Sequence, residues 1–126
     1  MLENFENLKN QTLVACEGKF GDGELFFTLT TGEKYKLYHE QDCCETVTIE
    51  DIEGDLSDLV GVPILMAEVA TNIEENPPGV PVPEYQDSYT WTFYRLATIK
   101  GYVTIRWYGE SNGYYSEGVD WALVEN

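Results

Sequence analysis

The segment Tyr89–Tyr108, YTWTFYRLATIKGYVTIRWY, predicts a β-hairpin and decides the fold class. Both halves are rich in β-branched and aromatic residues, which favour strands, and the turn falls near Lys100 and Gly101. The second half alternates between two sets of side chains: Val103, Ile105 and Trp107, then Tyr102, Thr104, Arg106 and Tyr108. Because successive side chains of a strand point to opposite faces, one set predicts a core face and the other a surface of tyrosine and arginine.

Similar short patterns extend from this hairpin in both directions. Outside it, the predicted strands are 25–30, 34–39, 45–50, 64–69 and 119–124. Glu24 to Tyr38 form a second predicted hairpin that closes at Thr31–Glu33, and Val47 and Ile49 alternate with polar neighbours as in a half-buried strand. Short runs of this kind, separated by Gly, Pro, Asn and Asp, are typical of antiparallel sheets and not of βαβ units.

The remaining segments predict short helices and one loop. Leu2–Leu8 has apolar residues at helical spacing, and Asp55–Gly61 begins with an N-cap residue and ends with a glycine. Asn72–Asp87 holds four of the five prolines and predicts an exposed loop within the domain. We therefore expect one mainly β (α+β) domain over residues 1–126, with a short helical N-terminus in residues 1–10. Its core is predicted as a single antiparallel sheet or partly open barrel of about six to eight strands, with one or two short helices.

Charge and composition narrow the classes of partner. Seven Lys and Arg stand against 23 Asp and Glu, a formal net charge of −16, which disfavours binding to duplex nucleic acid or to anionic membranes. No apolar run reaches the roughly 20 residues that a membrane helix needs, and the first residues lack the pattern of a secretory signal. Three cysteines are too few for a disulfide scaffold, so we expect a cytoplasmic location.

The densest chemical cluster is the segment 39–45, HEQDCCE. His39, Asp42 and Cys43 are weak candidates for metal ligands, because no second cluster exists to complete a tetrahedral site. Strand alternation would place Cys43 on the buried side with Val47, and Cys44 on the opposite side. The neighbouring carboxylates disfavour a reactive thiolate, so we predict no catalytic residue, no metal site and no cofactor.

The tyrosine- and arginine-rich face is the predicted binding surface. Such residues are enriched at interface hot spots because they offer large contact area at low entropic cost. The predicted binding residues are Tyr94, Tyr102, Arg106, Tyr108, Tyr114 and Tyr115. Three interpretations stay open: an interface with a partner, a contact between subunits, or packing within the chain beneath the amino-terminal helix.

Four longer strings carry a family resemblance: YHEQDCCE at Tyr38–Glu45, IEDIEGDLSDL at Ile49–Leu59, WTFY at Trp91–Tyr94 and TIRWYGESNGYYS at Thr104–Ser116. They resemble a small, uncharacterised acidic family of tailed phages and prophages, over most of the chain from Gly18 to Asp120. The resemblance implies a viral accessory setting, in an infected or lysogenic bacterial host, and brings no activity or catalytic residue with it.

The leading hypothesis is a non-enzymatic acidic protein, a phage-encoded inhibitor that docks on a basic surface of a host defence or regulatory protein. One alternative is a sponge that sequesters a nucleotide-like signalling molecule on the aromatic residues and Arg106. Another is a phage structural or assembly oligomer in which the tyrosine face joins copies of the chain, and a homodimer is also left open. An enzyme ranks last, with His39, Cys43 and Cys44 as its best residues.

Overall fold

The computed structural model describes residues 2–73, 76–80 and 88–124. Within these ranges the chain forms eight β-strands and two 3-10 helices, each helix one turn long. The helices are Phe5–Leu8 and Leu56–Leu59. The strands are β1 Leu13–Glu17, β2 Glu24–Leu29, β3 Lys34–Tyr38, β4 Thr46–Glu53, β5 Met66–Ile73, β6 Ser88–Thr98, β7 Gly101–Ser111 and β8 Asp120–Leu123.

The strands form two separate antiparallel sheets with the orders β1-β2-β3-β8 and β4-β7-β6-β5. The prediction of a mainly β fold is confirmed, whereas the prediction of a single sheet or barrel is wrong. Each sheet has one apolar face, and two such faces are removed from water when they pack against each other. The sequence does not show this division because β8 pairs with β3, more than 80 residues earlier in the chain.

The hairpin that decided the fold class is formed by β6 and β7. Their pairing runs from Ser88 opposite Ser111 to Thr98 opposite Gly101. Val103, Ile105 and Trp107 are fully buried, as the alternation predicted. They form the centre of the core with the inner faces of β2 and β3, which contribute Leu25, Phe27, Leu29, Tyr35 and Leu37.

The N-terminal segment closes one side of the space between the sheets. Its predicted helix is a single 3-10 turn, Phe5–Leu8, capped by the side chain of Asn4. The Phe5 ring packs edge-on against Tyr94 at 4.7 Å and near Trp121 at 6.1 Å. The amino-terminal turn therefore packs between the sheets and does not cover the tyrosine- and arginine-rich face.

The second predicted helix is confirmed as the 3-10 turn Leu56–Leu59, with Asp55 accepting a hydrogen bond from the Ser57 backbone N–H. The predicted loop 72–87 is described only in part. Its first two residues belong to β5, residues 76–80 lie outside the strands, and 74–75 and 81–87 are outside the described residues. In the described part of the chain, none of the helices has the length and apolar character needed to span a membrane.

Candidate functional site

Tyr94 lies in the core and does not belong to the predicted binding surface. It pairs with Ile105 across β6 and β7, which places both side chains on the inner face. Burial, together with the nearby Asp120 carboxylate, raises the pKa of its hydroxyl well above the usual value. The prediction that Tyr94 joins the exposed tyrosines is wrong, because β6 is offset so that Trp91 and Phe93 occupy the outer face instead.

Arg106 does lie on the outer face, where it is neutralised by carboxylates. Its Nε donates to Glu50 at 2.5 Å, and an NH2 nitrogen lies 3.6 Å from Asp51. A β-bulge in β4 between Ile49 and Asp51 places both carboxylates beside the same guanidinium. The guanidinium also lies over the Trp91 ring, at 5.4 Å from its centroid. Arg106 is therefore packed into its own chain and is not a free cation.

Tyr108 is part of the same packed layer. Its ring lies 4.6 Å from the Trp91 ring and 6.3 Å from the Tyr89 ring, measured between centroids. The side chain of Asn76 bonds to two members of this layer. It accepts a hydrogen bond from Trp91 Nε1 at 3.1 Å and donates one to the Tyr89 hydroxyl at 3.3 Å. The middle of the outer face is therefore packed within the chain itself. The residue that covers it is Asn76, and not the amino-terminal helix.

The exposed tyrosines lie at opposite ends of β7. Tyr102, at the hairpin end, is 54% exposed, and Tyr114, in the loop after β7, is 83% exposed. Ser111 lies nine positions after Tyr102 along β7, which corresponds to about 30 Å. The six predicted binding residues do not converge on one patch. Tyr114 and Tyr115 form their own small unit, with ring centroids 5.0 Å apart.

The loop 39–45 is built around a buried carboxylate that sequence analysis assigned no role. Glu45 is only 3% exposed and accepts hydrogen bonds from the backbone N–H groups of Asp42 at 3.0 Å and Cys43 at 2.9 Å. Its Oε2 lies 2.7 Å from His39 Nε2. The prediction of a buried Cys43 is wrong: β4 begins at Thr46, and Glu45, not Cys43, takes the inward position next to Val47.

The protonation of this pair follows from its surroundings. Burial alone would raise the pKa of Glu45, but hydrogen bonds from the Cys43 N–H, His39 and other backbone N–H groups outweigh it and hold the pKa at about 2. Burial alone would lower the pKa of His39, but Glu45 and the Gly118 carbonyl outweigh it and raise the pKa. Both ring nitrogens face oxygen acceptors, so the imidazolium form satisfies both contacts.

Cys43 and Cys44 are exposed and joined by a disulfide between adjacent residues. Neither is therefore the core thiol that the alternation predicted. Cys16 carries the free thiol, and burial, assisted by Glu17, raises its pKa to about 12. No three His, Cys, Asp or Glu side chains of residues 2–73, 76–80 and 88–124 are grouped to hold a metal ion, so His39, Asp42 and Cys43 do not come together as a ligand set.

The loop after β7 is anchored by a second buried carboxylate. Glu117 accepts hydrogen bonds from the hydroxyls of Ser111 at 2.5 Å and Thr90 at 2.8 Å. Its backbone carbonyl approaches Gly109 so closely that a Cβ at Gly109 would lie 2.5 Å from it. A larger residue at Gly109 would push the backbone at Glu117 away from β7. The contacts of Glu117 with β6 and β7 therefore fix the end of the loop that carries Tyr114.

The two loops are also joined to each other. His39 Nδ1 contacts the Gly118 carbonyl at 2.8 Å, and the Glu40 N–H donates to Asp120 at 3.1 Å. Between them lies a hollow of about 410 Å³ lined by Glu40, Gln41, Asp42, Glu45, Ser116 and Asp120. We call residues 39–45 and 111–120 the loop end. It combines a carboxylate-lined hollow, the exposed disulfide and the exposed Tyr114 in one region of the molecule.

Comparison with known proteins identifies a family. The sequence model of a family described as a domain of unknown function, DUF7448, matches residues 6–121. No curated protein and no solved structure matches the chain.

Proposed function

Because the chain belongs to the DUF7448 family of domains of unknown function, whose match spans residues 6–121, we propose its function from the site alone: a non-enzymatic binding protein whose loop end docks on a basic protein surface. The observation that carries the proposal is the pair of carboxylates, Glu45 and Glu117, buried beneath two exposed loops. The main cost of using loops for recognition is the conformational entropy that they lose on binding. Loops that are already held in one conformation lose little of it.

The charge of the loop end favours a basic partner. The lining residues of the hollow include Glu40, Asp42, Glu45 and Asp120 and no Lys or Arg. The chain as a whole carries −16, so a cationic surface would be attracted at long range and would reach the loop end faster than a neutral one. Tyr114, the exposed tyrosine of the loop 111–120, supplies apolar contact area, and tyrosine is a frequent hot-spot residue at interfaces.

The sequence resemblance implies a phage setting, and this setting suggests which kind of protein the partner is. In that setting the basic surface belongs to a host defence or regulatory protein, and the docked chain blocks it. We do not propose that the chain sequesters a nucleotide, because the guanidinium that would bind the phosphate, that of Arg106, already contacts Glu50 and Asp51. Assembly into an oligomer of this chain becomes an outcome of the test below.

The test is a quantitative capture experiment with matched variants. Immobilised wild-type chain, the double variant Tyr114→Ala/Tyr115→Ala and the control Tyr102→Ala are exposed to lysate of the bacterium that carries the gene, at low and high salt. We expect a protein with a basic surface to be retained by wild type and Tyr102→Ala and lost with the double variant. Retention should also fall steeply as salt rises.

Two results would overturn the proposal. Equal capture by all three proteins would show that the loop end is not the contact, and capture that is indifferent to salt would remove the role of charge. Light scattering of the free chain addresses the assembly alternative. A closed higher oligomer that dissociates in the double variant would reassign the tyrosines to a contact between copies.

A further inference from the structure

The two sheets do not close against each other on the side between β5 and β8. A cleft of about 320 Å³ opens there between the N-terminal turn, the edge strand β5 and the start of β8. Its lining residues are Asn4, Phe5, Glu6, Leu37, Val69, Thr71, Thr92, Tyr94, Gly118, Val119 and Trp121. Val69 shows the opening directly: it lies on the inner face, opposite Tyr94, and is still 42% exposed. The volume is at the lower end of the range of about 300–1,000 Å³ found for small-molecule sites.

Two polar side chains in this cleft lack partners. Thr92 and Tyr94 are each only 5% exposed, and both lie on the inner face of β6. Neither hydroxyl is hydrogen-bonded to another of residues 2–73, 76–80 and 88–124, and neither oxygen is sealed from solvent, since the buried polar side-chain atom without a partner in these ranges is Trp107 Nε1. Both hydroxyls therefore meet water through the cleft and can exchange that water for a polar group of a ligand. Here the cleft is the place from which a replacement group would reach them.

We infer that this cleft is a binding site for a small aromatic amine. The rings of Phe5, Tyr94 and Trp121 form part of its apolar wall, and the hydroxyls of Thr92 and Tyr94 provide a donor and an acceptor for one polar group. This inference does not depend on the proposed function: the cleft shares Gly118 and Val119 with the loop end, but none of its lining residues lines the carboxylate-lined hollow.

The charge of the ligand follows from what surrounds the cleft. Lys, Arg and His are missing from the side chains that line it, whereas Glu6 lies at its edge. The Asp120 carboxylate, just after Val119 of the cleft, contributes with burial to the raised pKa of the Tyr94 hydroxyl, and negative charge on this side favours a cation over an anion. Aromatic faces attract cations as well. A carboxylate-bearing ligand of the same shape would meet only negative charge.

The test is an NMR titration of the ¹⁵N-labelled chain with two probes that share one ring, tyramine and 4-hydroxyphenylacetate. We expect tyramine to shift the amides of Thr71, Thr92 and Val119 saturably, with a dissociation constant on the order of 1 mM or lower. The anionic probe should bind at least about tenfold more weakly. Tyr94→Phe keeps the ring, removes one hydrogen bond and should weaken tyramine about five- to tenfold.

A matched pair of variants locates the site. Val69→Trp fills the mouth of the cleft and should abolish the tyramine shifts. Val14→Trp places the same ring at an exposed position on β1, outside the cleft lining, and should leave them unchanged. The inference is overturned if tyramine causes no saturable shifts, if the two probes bind equally, or if the shifts persist in Val69→Trp.

Discussion

His39 and Glu45 form a buried ion pair, with Nε2 and Oε2 2.7 Å apart, that connects the loop 39–45 to the start of β4. The same imidazole contacts the Gly118 carbonyl through Nδ1, so one side chain joins both loops of the loop end. Both side chains are buried, and backbone N–H groups of Asp42 and Cys43 complete the hydrogen bonds to the carboxylate. These two residues therefore determine the shape of the surface that we propose as the binding site.

Removing the charge of Glu45 should loosen the loop end. Glu45→Gln keeps the size of the side chain but cannot accept the full set of hydrogen bonds from His39, Asp42 and Cys43. We expect a lower midpoint of denaturant unfolding and faster amide exchange in residues 39–45. Glu53→Gln, at an exposed position at the far end of β4, is the matched control and should change stability by no more than about 0.5 kcal/mol. Equal effects of the two substitutions would contradict the anchoring role.

The ion pair should make stability depend on pH in a defined direction. The raised pKa of His39 means that its contribution is complete below its usual value of 6.5 and is lost as the pH rises through the folded-state pKa. The lowered pKa of Glu45 means that its contribution is present above its usual value of 4.5 and is lost as the pH falls toward 2.

The stability difference between wild type and His39→Gln should therefore be largest between these two usual values, 4.5 and 6.5. It should shrink on both the acidic and the basic side. Urea unfolding across the pH range measures it. A difference that stays constant with pH would show that His39 acts only through packing.

Arg106 should stabilise the outer face through its carboxylate partners. Arg106→Ala is expected to cost about 1–2 kcal/mol, because the guanidinium is mostly buried and hydrogen-bonded to Glu50. A double-mutant cycle with Glu50→Gln should give a coupling energy of about 0.5–1.5 kcal/mol. A coupling energy of zero would indicate that Arg106 stabilises the sheet only through its contact with Trp91.

The cysteines should react in a fixed order. The unreduced native chain should take up no iodoacetamide, since Cys43 and Cys44 are joined and Cys16 has a pKa raised to about 12. Mild reduction should expose Cys43 and Cys44 to alkylation, and Cys16 should react only after unfolding. In Cys43→Ser, Cys44 should react without reductant. Uptake by Cys43 in unreduced wild type would show that the disulfide does not form.

Local patterns were sufficient for most strands of this fold but not for their arrangement. The alternation of Val103, Ile105 and Trp107 identified β7 and its buried face, and Asp55 identified the cap of a 3-10 turn, because each signal lies within a few residues. The division into two sheets depends on pairing between β3 and β8, which are distant in sequence. No local pattern specifies such a pairing.

The site was harder to predict for the same reason. Residue type led to the prediction of Tyr114 and Tyr115 as binding residues, which stays a prediction, whereas Tyr94 was misplaced because its face depends on the register between β6 and β7. The bulge at Glu50, which neutralises Arg106, has no marker in the sequence. Glu45 offered one usable signal: it precedes Val47 by two positions, and continued alternation would have placed it inside.

Zero-length cross-linking of the chain to its captured partner is the most direct measurement of where binding occurs. A carbodiimide joins carboxylates to lysines that touch them, so the cross-linked positions report the contact surface. We predict cross-links from Glu40, Asp42 and Asp120 at the loop end and none from Glu53 and Asp55, which lie at the opposite end of β4. Cross-links concentrated at Glu53 and Asp55, or spread evenly over the acidic surface, would contradict the assignment of the loop end as the binding site.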